Sequence, residues 1–329
     1  MVLLIKPIEP VFFRWHGEYS PNFSGPMNKG ISEPLPLIST VIGAIYRKVK
    51  GIKIAQPSNE LEELKSVFND VWGPLIYVKG IRRNTVGEFL LVHDYPGKLI
   101  TFRLEKDGVT PIINEHKDND CINEEAKEGD CGVDMHKYRI DEIMPKQINK
   151  IGIGRDLGKR TAKEHMLYSS QFIDLQATIM ENFKDVTEWG ILVETQVKYN
   201  GVMELGGEGR VVKVNEVNVQ IPTGGKYSAL LSPLLLSVNN NVGNERLASL
   251  DDVLKLNIDG KINDKTLRNV LCRGKIGVIG IGYSMSLNAR RPIYPALFPG
   301  SLLRNINERK LGELNELGWG SLLHYDYVI

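Results

Sequence analysis

Residues 151–173, IGIGRDLGKRTAKEHMLYSSQFI, constrain the chain most. Gly152, Gly154 and Gly158 open the stretch, Arg155, Lys159, Arg160 and Lys163 gather within it, and an apolar, aromatic run containing Tyr168 closes it. Glycine reaches φ > 0 and lets a backbone approach a ligand closely. Successive amides in such a turn form an anion-binding nest, and cations beside it suit phosphate. The expectation is a basic glycine turn leading into a strand, with the turn either gripping a phosphate backbone or simply solvated. The established phosphate motifs do not fit. A Walker A loop has four residues between its glycines, then Lys and Ser/Thr; here Gly154 and Gly158 enclose three, and Arg160 follows Lys159. A dinucleotide fingerprint would carry its third glycine one position earlier.

At 329 residues the chain is long enough for two domains. Its 42% apolar and 25% charged content is that of an ordinary soluble globular chain. The formal net charge is only +1, whereas a free-standing nucleic-acid binder is usually more basic. A nucleic-acid role therefore needs charge gathered on one face, or partners that share the work. Cys121, Cys131 and Cys272 form no close pair, which argues against a zinc ribbon and a disulfide scaffold. The opening VLLI is a short apolar run followed at once by Lys6 and Pro7, so no signal peptide is expected. No run approaches the roughly 18 apolar residues of a membrane span. A cytoplasmic protein with no membrane association and no cofactor is expected.

Taken in order, residues 2–5 read as a buried strand, extended by Pro7 and Pro10, and residues 15–36 as a long loop. Ser39 or Thr40 is expected to cap a helix through about Val49, burying Ile42, Ile45, Tyr46 and Val49. A second helix is expected over 61–71, and strands over 74–81, 88–93 and 98–104, the last two joined by a turn at Tyr95-Pro96-Gly97. Residues 105–142 carry twelve acidic side chains, more than their Lys and Arg together, and read as a partly flexible acidic insertion. From 146 to 163 the sign reverses: six Lys or Arg face only Asp156. A strand over 166–175, an ambiguous stretch over 176–184 and an apolar strand over 190–197 follow, with a domain boundary near 182–188. Prolines between 292 and 299 argue against a central strand there.

Three further constellations carry chemistry. Arg14, Trp15 and His16 open the long loop; His16 beside a cation is the best acid–base candidate, or else a loop residue that hydrogen-bonds or stacks. Gly206, Gly207 and Gly209 precede Arg210 and Lys213: either backbone approach to a phosphate with Arg210 as a fork, or a tight turn or bulge. Arg290 and Arg291 stand near Tyr294, either a stacked-base contact or a surface charge cluster.

IKPIEPVFFR, PLISTVIGAIYR, GIGRDLGKRTAKEHMLYSSQFI, LGGEGRVVKV and RRPIYPALFPGSLL occur here in that order. The series resembles the RAMP (repeat-associated mysterious protein) superfamily of CRISPR systems, and within it the family of third subunits of the type III-B Cmr effector complex. The resemblance spans most of the chain and is weakest over 22–34, 105–146 and 239–262. It implies an α+β fold of two ferredoxin-like, RRM-related modules with long insertions, placed here at 1–185 and 186–329. It implies a non-catalytic subunit that binds the 5′ handle of the guide RNA, docks on the large nucleotide-cyclising subunit and abuts the backbone RAMP subunit. Other members of the superfamily cleave precursor guide RNA with a histidine, so an endoribonuclease using His16 is the alternative, although no general-acid partner is visible. The acidic stretch would repel RNA and is expected to face a protein partner or solvent.

Overall fold

The computed structural model describes residues 1–15, 29–51, 60–115, 138–155, 162–236, 269–284 and 289–326. Strand β1 (Val2–Pro7) is buried except at Lys6, and β2 (Lys29–Ile31) follows. Helix α1 (Ile38–Lys50) buries Ile38, Val41, Ile42, Ile45 and Tyr46 on one face. Its N-cap is Leu37, which offers no side-chain cap, so Ser39 and Thr40 lie inside the first turn rather than before it. Val49 is 43% exposed, because the buried stripe ends one turn before the helix does. Then come α2 (Glu60–Val67), shorter than expected, and the long strands β3 (Trp72–Arg82), β4 (Thr85–Asp94) and β5 (Lys98–Leu104).

The acidic stretch is not a single insertion. Its ends form β6 (Val109–Pro111), β7 (Ile113–Glu115), β8 (Tyr138–Ile140) and β9 (Glu142–Ile143). Asp141 within it is buried rather than turned to a partner or solvent, because Arg82 and Arg83 neutralise it. Next are β10 (Lys146–Arg155), β11 (Ala162–Asp174) and α3 (Leu175–Asn182), whose N-cap Asp174 accepts the Ala177 N–H at 2.9 Å. The chain continues through β12 (Lys184–Glu194), β13 (Gly201–Glu204), β14 (Val211–Val217), β15 (Tyr227–Leu230) and β16 (Leu234–Leu235). It ends with β17 (Val270–Cys272), β18 (Ile276–Gly280), β19 (Tyr283–Ser284), β20 (Ala289–Arg290), β21 (Ile293–Leu297), β22 (Leu302–Arg304) and β23 (Leu322–Tyr325).

The architecture is mixed α+β, mostly antiparallel sheet with few helices. A nine-stranded sheet runs β13-β14-β1-β12-β3-β4-β5-β6, with β9 also pairing β5. Its neighbours pair antiparallel throughout. Within the longer series, β1, α1, β3, β4, α3 and β12 follow a β-α-β-β-α-β succession, and the sheet joins those strands in the order β1-β12-β3-β4. The boundary expected near 182–188 coincides with the α3–β12 junction. Yet β12 is bonded to β1 on one side and β3 on the other, so strands from both sides of residue 185 share this sheet.

Both sheet faces are covered, which is why β3 and β4 read as nearly continuous apolar runs rather than alternating ones. One face (Leu3, Ile5, Ile76, Val78, Leu91, Ile191) belongs to the core that includes the α1 residues. The other (Leu4, Leu75, Leu90, Ile100, Leu192) packs with Ala229, Leu231, Leu302 and Leu323 from the C-terminal strands. Each such side chain contributes roughly 1.5–3 kcal/mol. The prolines after Arg291 do not exclude a central strand: β21 lies between β16 and β18. Pro295 accepts the Leu236 N–H through its carbonyl, and β16 opposite is only two residues long, so the missing donor costs little.

In the C-terminal sheet, His324 Nδ1 lies 2.9 Å from Ser228 Oγ, both buried. Burial lowers the His324 pKa, the Glu308 backbone opposes this, and nearby Arg309 adds to the lowering. The imidazole is thus neutral in the fold, while the unfolded chain takes up the proton as pH falls below about 6.5. Stability is therefore expected to fall as the pH drops through about 6.5, and to be lower at pH 5.5 than at 7.5. Urea unfolding at the two pH values, compared with His324→Asn, checks this; equal pH dependence in both proteins removes His324 as the cause.

Candidate nucleic-acid interface

Residues 11–14 form a bridge between two distant parts of the chain. Val11 exchanges backbone bonds with Ile173 at 2.8 and 3.0 Å, and the Gly207 N–H donates to the Phe12 carbonyl at 2.9 Å. The Phe12 ring packs 5.0 Å from that of Phe172 on β11. The β13–β14 turn is thereby pressed against this segment. Gly206 has φ +86°, and a Cβ there would lie 2.7 Å from the Phe13 ring and 2.8 Å from the Phe12 carbonyl. A Cβ on Gly207 would meet the Phe12 ring at 2.8 Å. These two glycines are required by close packing, with no need to invoke a ligand. Gly209, at φ +61°, faces open space.

Beside this turn lies a cleft of about 320 Å³. Phe12, Phe13 and Leu37 give it apolar walls; Arg14, Thr40 and Glu208 supply its polar groups. Arg14 is exposed. The start of α1 contributes the positive end of a thirteen-residue helix with no acid in its first turn. Arg291 reaches the same region. A Cβ built on Gly282 would sit 3.7 Å from Ser39 Oγ and 3.9 Å from Arg291 Nη1, and the Arg291 N–H donates to the Gly282 carbonyl at 2.9 Å. Three stretches read separately in the sequence, at 14, 206–207 and 291, thus meet at the start of α1. Within the cleft an anion meets the Arg14 side chain and the start of α1, with Glu208 also in the lining, and a flat apolar group finds phenyl walls.

Other residues singled out in the sequence have structural employment. Arg210 is ion-paired with Glu9, and its guanidinium lies 4.6 Å from the Phe172 ring. Burial pushes the Glu9 carboxyl up, but bonds from Arg210 and the Val211 N–H outweigh it and leave the pKa below its ordinary value. The fork expected to hold a phosphate is therefore occupied by a carboxylate. Lys150, one of the six cations of 146–163, places its ammonium 4.8 Å from the same ring. Trp15 is a core residue: its Nε1–H donates to the Leu35 carbonyl at 2.8 Å and its ring stacks on Tyr95 at 5.9 Å. It offers no face to a base.

Gly152 and Gly154 lie within β10 rather than in a loop. Gly152 pairs with Tyr168 and Arg155 with Ala162, with a register shift between Ile153 and Arg155. Two long antiparallel strands absorb these glycines. Gly158, Lys159, Arg160 and His16 lie outside the described residues. Lys163 is on β11, Arg290 on β20 opposite Tyr283, and Lys213 is exposed on β14. Among the described residues no group of His, Cys, Asp or Glu is arranged to hold a metal ion. No helix among them is long and apolar enough to cross a membrane.

Comparison with known proteins bears out the resemblance. The family model for the CRISPR-associated protein Cas_Cmr3 matches residues 114–228. The chain is 25% identical over 312 residues to the CRISPR system CMR subunit Cmr3 of Saccharolobus solfataricus, covering 92% of this chain and 85% of the relative. In fold it is similar to a chain in the cryo-EM structure of the Type III-B Cmr-beta bound to cognate target RNA and AMPPnP: TM-score 0.60, 19% identity, 99% of each chain covered. A second such structure, bound to cognate target RNA, matches with TM-score 0.53 and 19% identity, covering 99% of this chain and 98% of that one.

Proposed function

We infer that this chain, which resembles the Cmr3 family, is the corresponding subunit of a type III-B CRISPR effector complex and binds the 5′ handle of its guide RNA without cleaving it. The observation that carries the reading is the placement of Arg14 and the start of α1 at one cleft with aromatic walls, with Arg291 near Ser39 at the same helix start. Such a site suits a splayed nucleotide: phosphate oxygens take the guanidinium and amide donors, and a base lies against a phenyl ring. Strand β11 joins the cleft segment through the Val11–Ile173 bridge, and the sequence of β10 and β11 carries further cations, Lys150, Arg155 and Lys163. Docking on the large nucleotide-cyclising subunit, and contact with the backbone subunit, belong to the same proposal. A near-neutral chain that shares one RNA with neighbours needs only a local positive site.

The test is titration of the purified chain with a 5′-handle RNA and a scrambled RNA of equal length across a salt series, alone and with the large subunit. Handle preference is expected, and Arg14→Glu or Arg291→Glu should each weaken binding roughly tenfold, the loss of one charge-assisted contact. Repeat RNA incubated in EDTA should remain intact. Equal binding of both RNAs in the presence of the large subunit would sink the handle assignment.

A further inference from the structure

We propose that the outer edge of β10, from Gln147 to Ile151, is a strand-addition site, where an extended, acidic segment of a partner protein continues the β10-β11-β2 sheet. The proposal rests on the reading of this chain as a subunit of a larger complex and is independent of the RNA cleft. Strand β10 is ten residues long and pairs with β11 alone among the described residues. The direction of its backbone groups follows from that neighbour. Ile173 exchanges backbone bonds with Val11, and the Gln171 carbonyl accepts from the Ser32 N–H. Both residues therefore point away from β10. Bonding direction alternates along an antiparallel strand, so Ser170, Phe172 and Asp174 point toward β10, opposite Lys150, Ile148 and Lys146. The Thr178 hydroxyl fits this register: it accepts from the Lys146 N–H at 2.9 Å and donates to the Asp174 carbonyl at 2.6 Å, bridging that pair. The N–H and C=O groups of Gln147, Asn149 and Ile151 are left facing outward.

A bare edge invites pairing with another chain, and proteins guard such edges with lysine, proline, a bulge or a short strand. Among the described residues none of these guards stands over 147–151. KQINKIGIGR contains no proline, and its register shift comes later, between Ile153 and Arg155. Lys146 is ion-paired with Glu181, and Lys150 turns over the Phe172 ring at 4.8 Å. Gln147 and Asn149 are exposed, and Ile151 is 71% exposed. A β-branched side chain left in water on a strand edge gains by packing against a cross-strand neighbour. The occupant is polypeptide rather than RNA because the edge presents donors and acceptors in turn. Another extended backbone matches both, whereas phosphates only accept and would leave the three outward carbonyls without donors. The charge of the occupant follows from the strand itself. Lys146, Lys150 and Arg155 lie on β10 with no acid among its ten residues. Opposite charges on paired strands attract and like charges repel, so the added strand carries acidic side chains, with an apolar one against Ile151.

The test measures amide hydrogen exchange of the full chain residue by residue, alone and after assembly with the purified large subunit and with the purified backbone subunit. In the free chain the amides of Ile148 and Lys150 should exchange slowly and those of Gln147, Asn149 and Ile151 fast. Assembly should slow the second set roughly tenfold and change the first little. Asn149→Pro removes one outward donor, and Ile151→Lys supplies the missing guard; neither touches a bond to β11. Each should keep the thermal midpoint and the RNA affinity of the wild type and weaken retention of the partner subunit roughly tenfold. Unaltered exchange at 147, 149 and 151 with both subunits bound overturns the proposal. Slowing of these amides by handle RNA alone makes the edge a nucleic-acid contact, and slowing that grows with the concentration of the free chain makes it a self-pairing edge; either result overturns the proposal too. Loss of handle preference with the three amides still protected in the assembly sinks the RNA reading and leaves this one standing.

Discussion

Replacing Asp141 with Ala is expected to lower the unfolding free energy by about 3–5 kcal/mol, the cost of leaving a buried guanidinium without its partner. Asp141 Oδ2 accepts from Arg82 Nε at 2.7 Å, and Oδ1 accepts from Arg83 Nη2 at 2.9 Å and Asn114 Nδ2 at 3.2 Å. The Arg82 and Asp141 side chains are only 8% and 3% exposed. Arg82 also donates to the Asn182 carbonyl at 3.0 Å and lies 5.1 Å from the Phe183 ring. One carboxylate therefore ties the β3–β4 hairpin, the end of α3 and the strands at the close of the acidic stretch into one knot. Asp141→Asn keeps an acceptor but loses the charge, and should fall between wild type and Ala. Urea unfolding of the three proteins measures this. A loss under about 1 kcal/mol for the Ala variant would mean that water reaches Arg82 and that the knot is unimportant.

The second large effect is expected at Gly206. A side chain there must adopt a left-handed backbone at φ +86° and displace both the Phe13 ring and the Phe12 carbonyl. Left-handed strain of roughly 1–2 kcal/mol and overpacking of roughly 1–3 kcal/mol predict a loss of about 2–4 kcal/mol for Gly206→Ala. Gly209→Ala should carry only the strain, because open space surrounds that position. Thermal and urea unfolding distinguish packing from ligand contact. A Gly206→Ala protein of wild-type stability that no longer binds RNA would mean that this glycine serves the ligand and that its packing role is wrong.

Much of the local structure was legible in the residues. The spacing of Ile42, Ile45 and Tyr46 marks α1, and Tyr95-Pro96-Gly97 marks the turn between β4 and β5. The order of the motifs carries the family resemblance. The helix start was misplaced because Leu37 begins α1 without a side-chain cap. The glycine stretch at 152–154 looked like a loop because composition alone does not reveal a pairing partner; β11 supplied one.

The sequence by itself determined where β1, α1 and strands β3–β5 lie, and that cations and glycines concentrate at a few places. These are properties of neighbouring residues, set by backbone sterics and by the period of burial. Only the tertiary structure decided which of those cations can meet a ligand. Arg210 meets Glu9 from 201 positions away, and Asp141 meets Arg82 from 59 away. Trp15 is enclosed by His93 and Tyr95. Arg14, Gly206 and Arg291 come together only because α1 and the β13–β14 turn fold onto one end of the large sheet. What a charge meets depends on contacts across the whole chain rather than on the residues beside it.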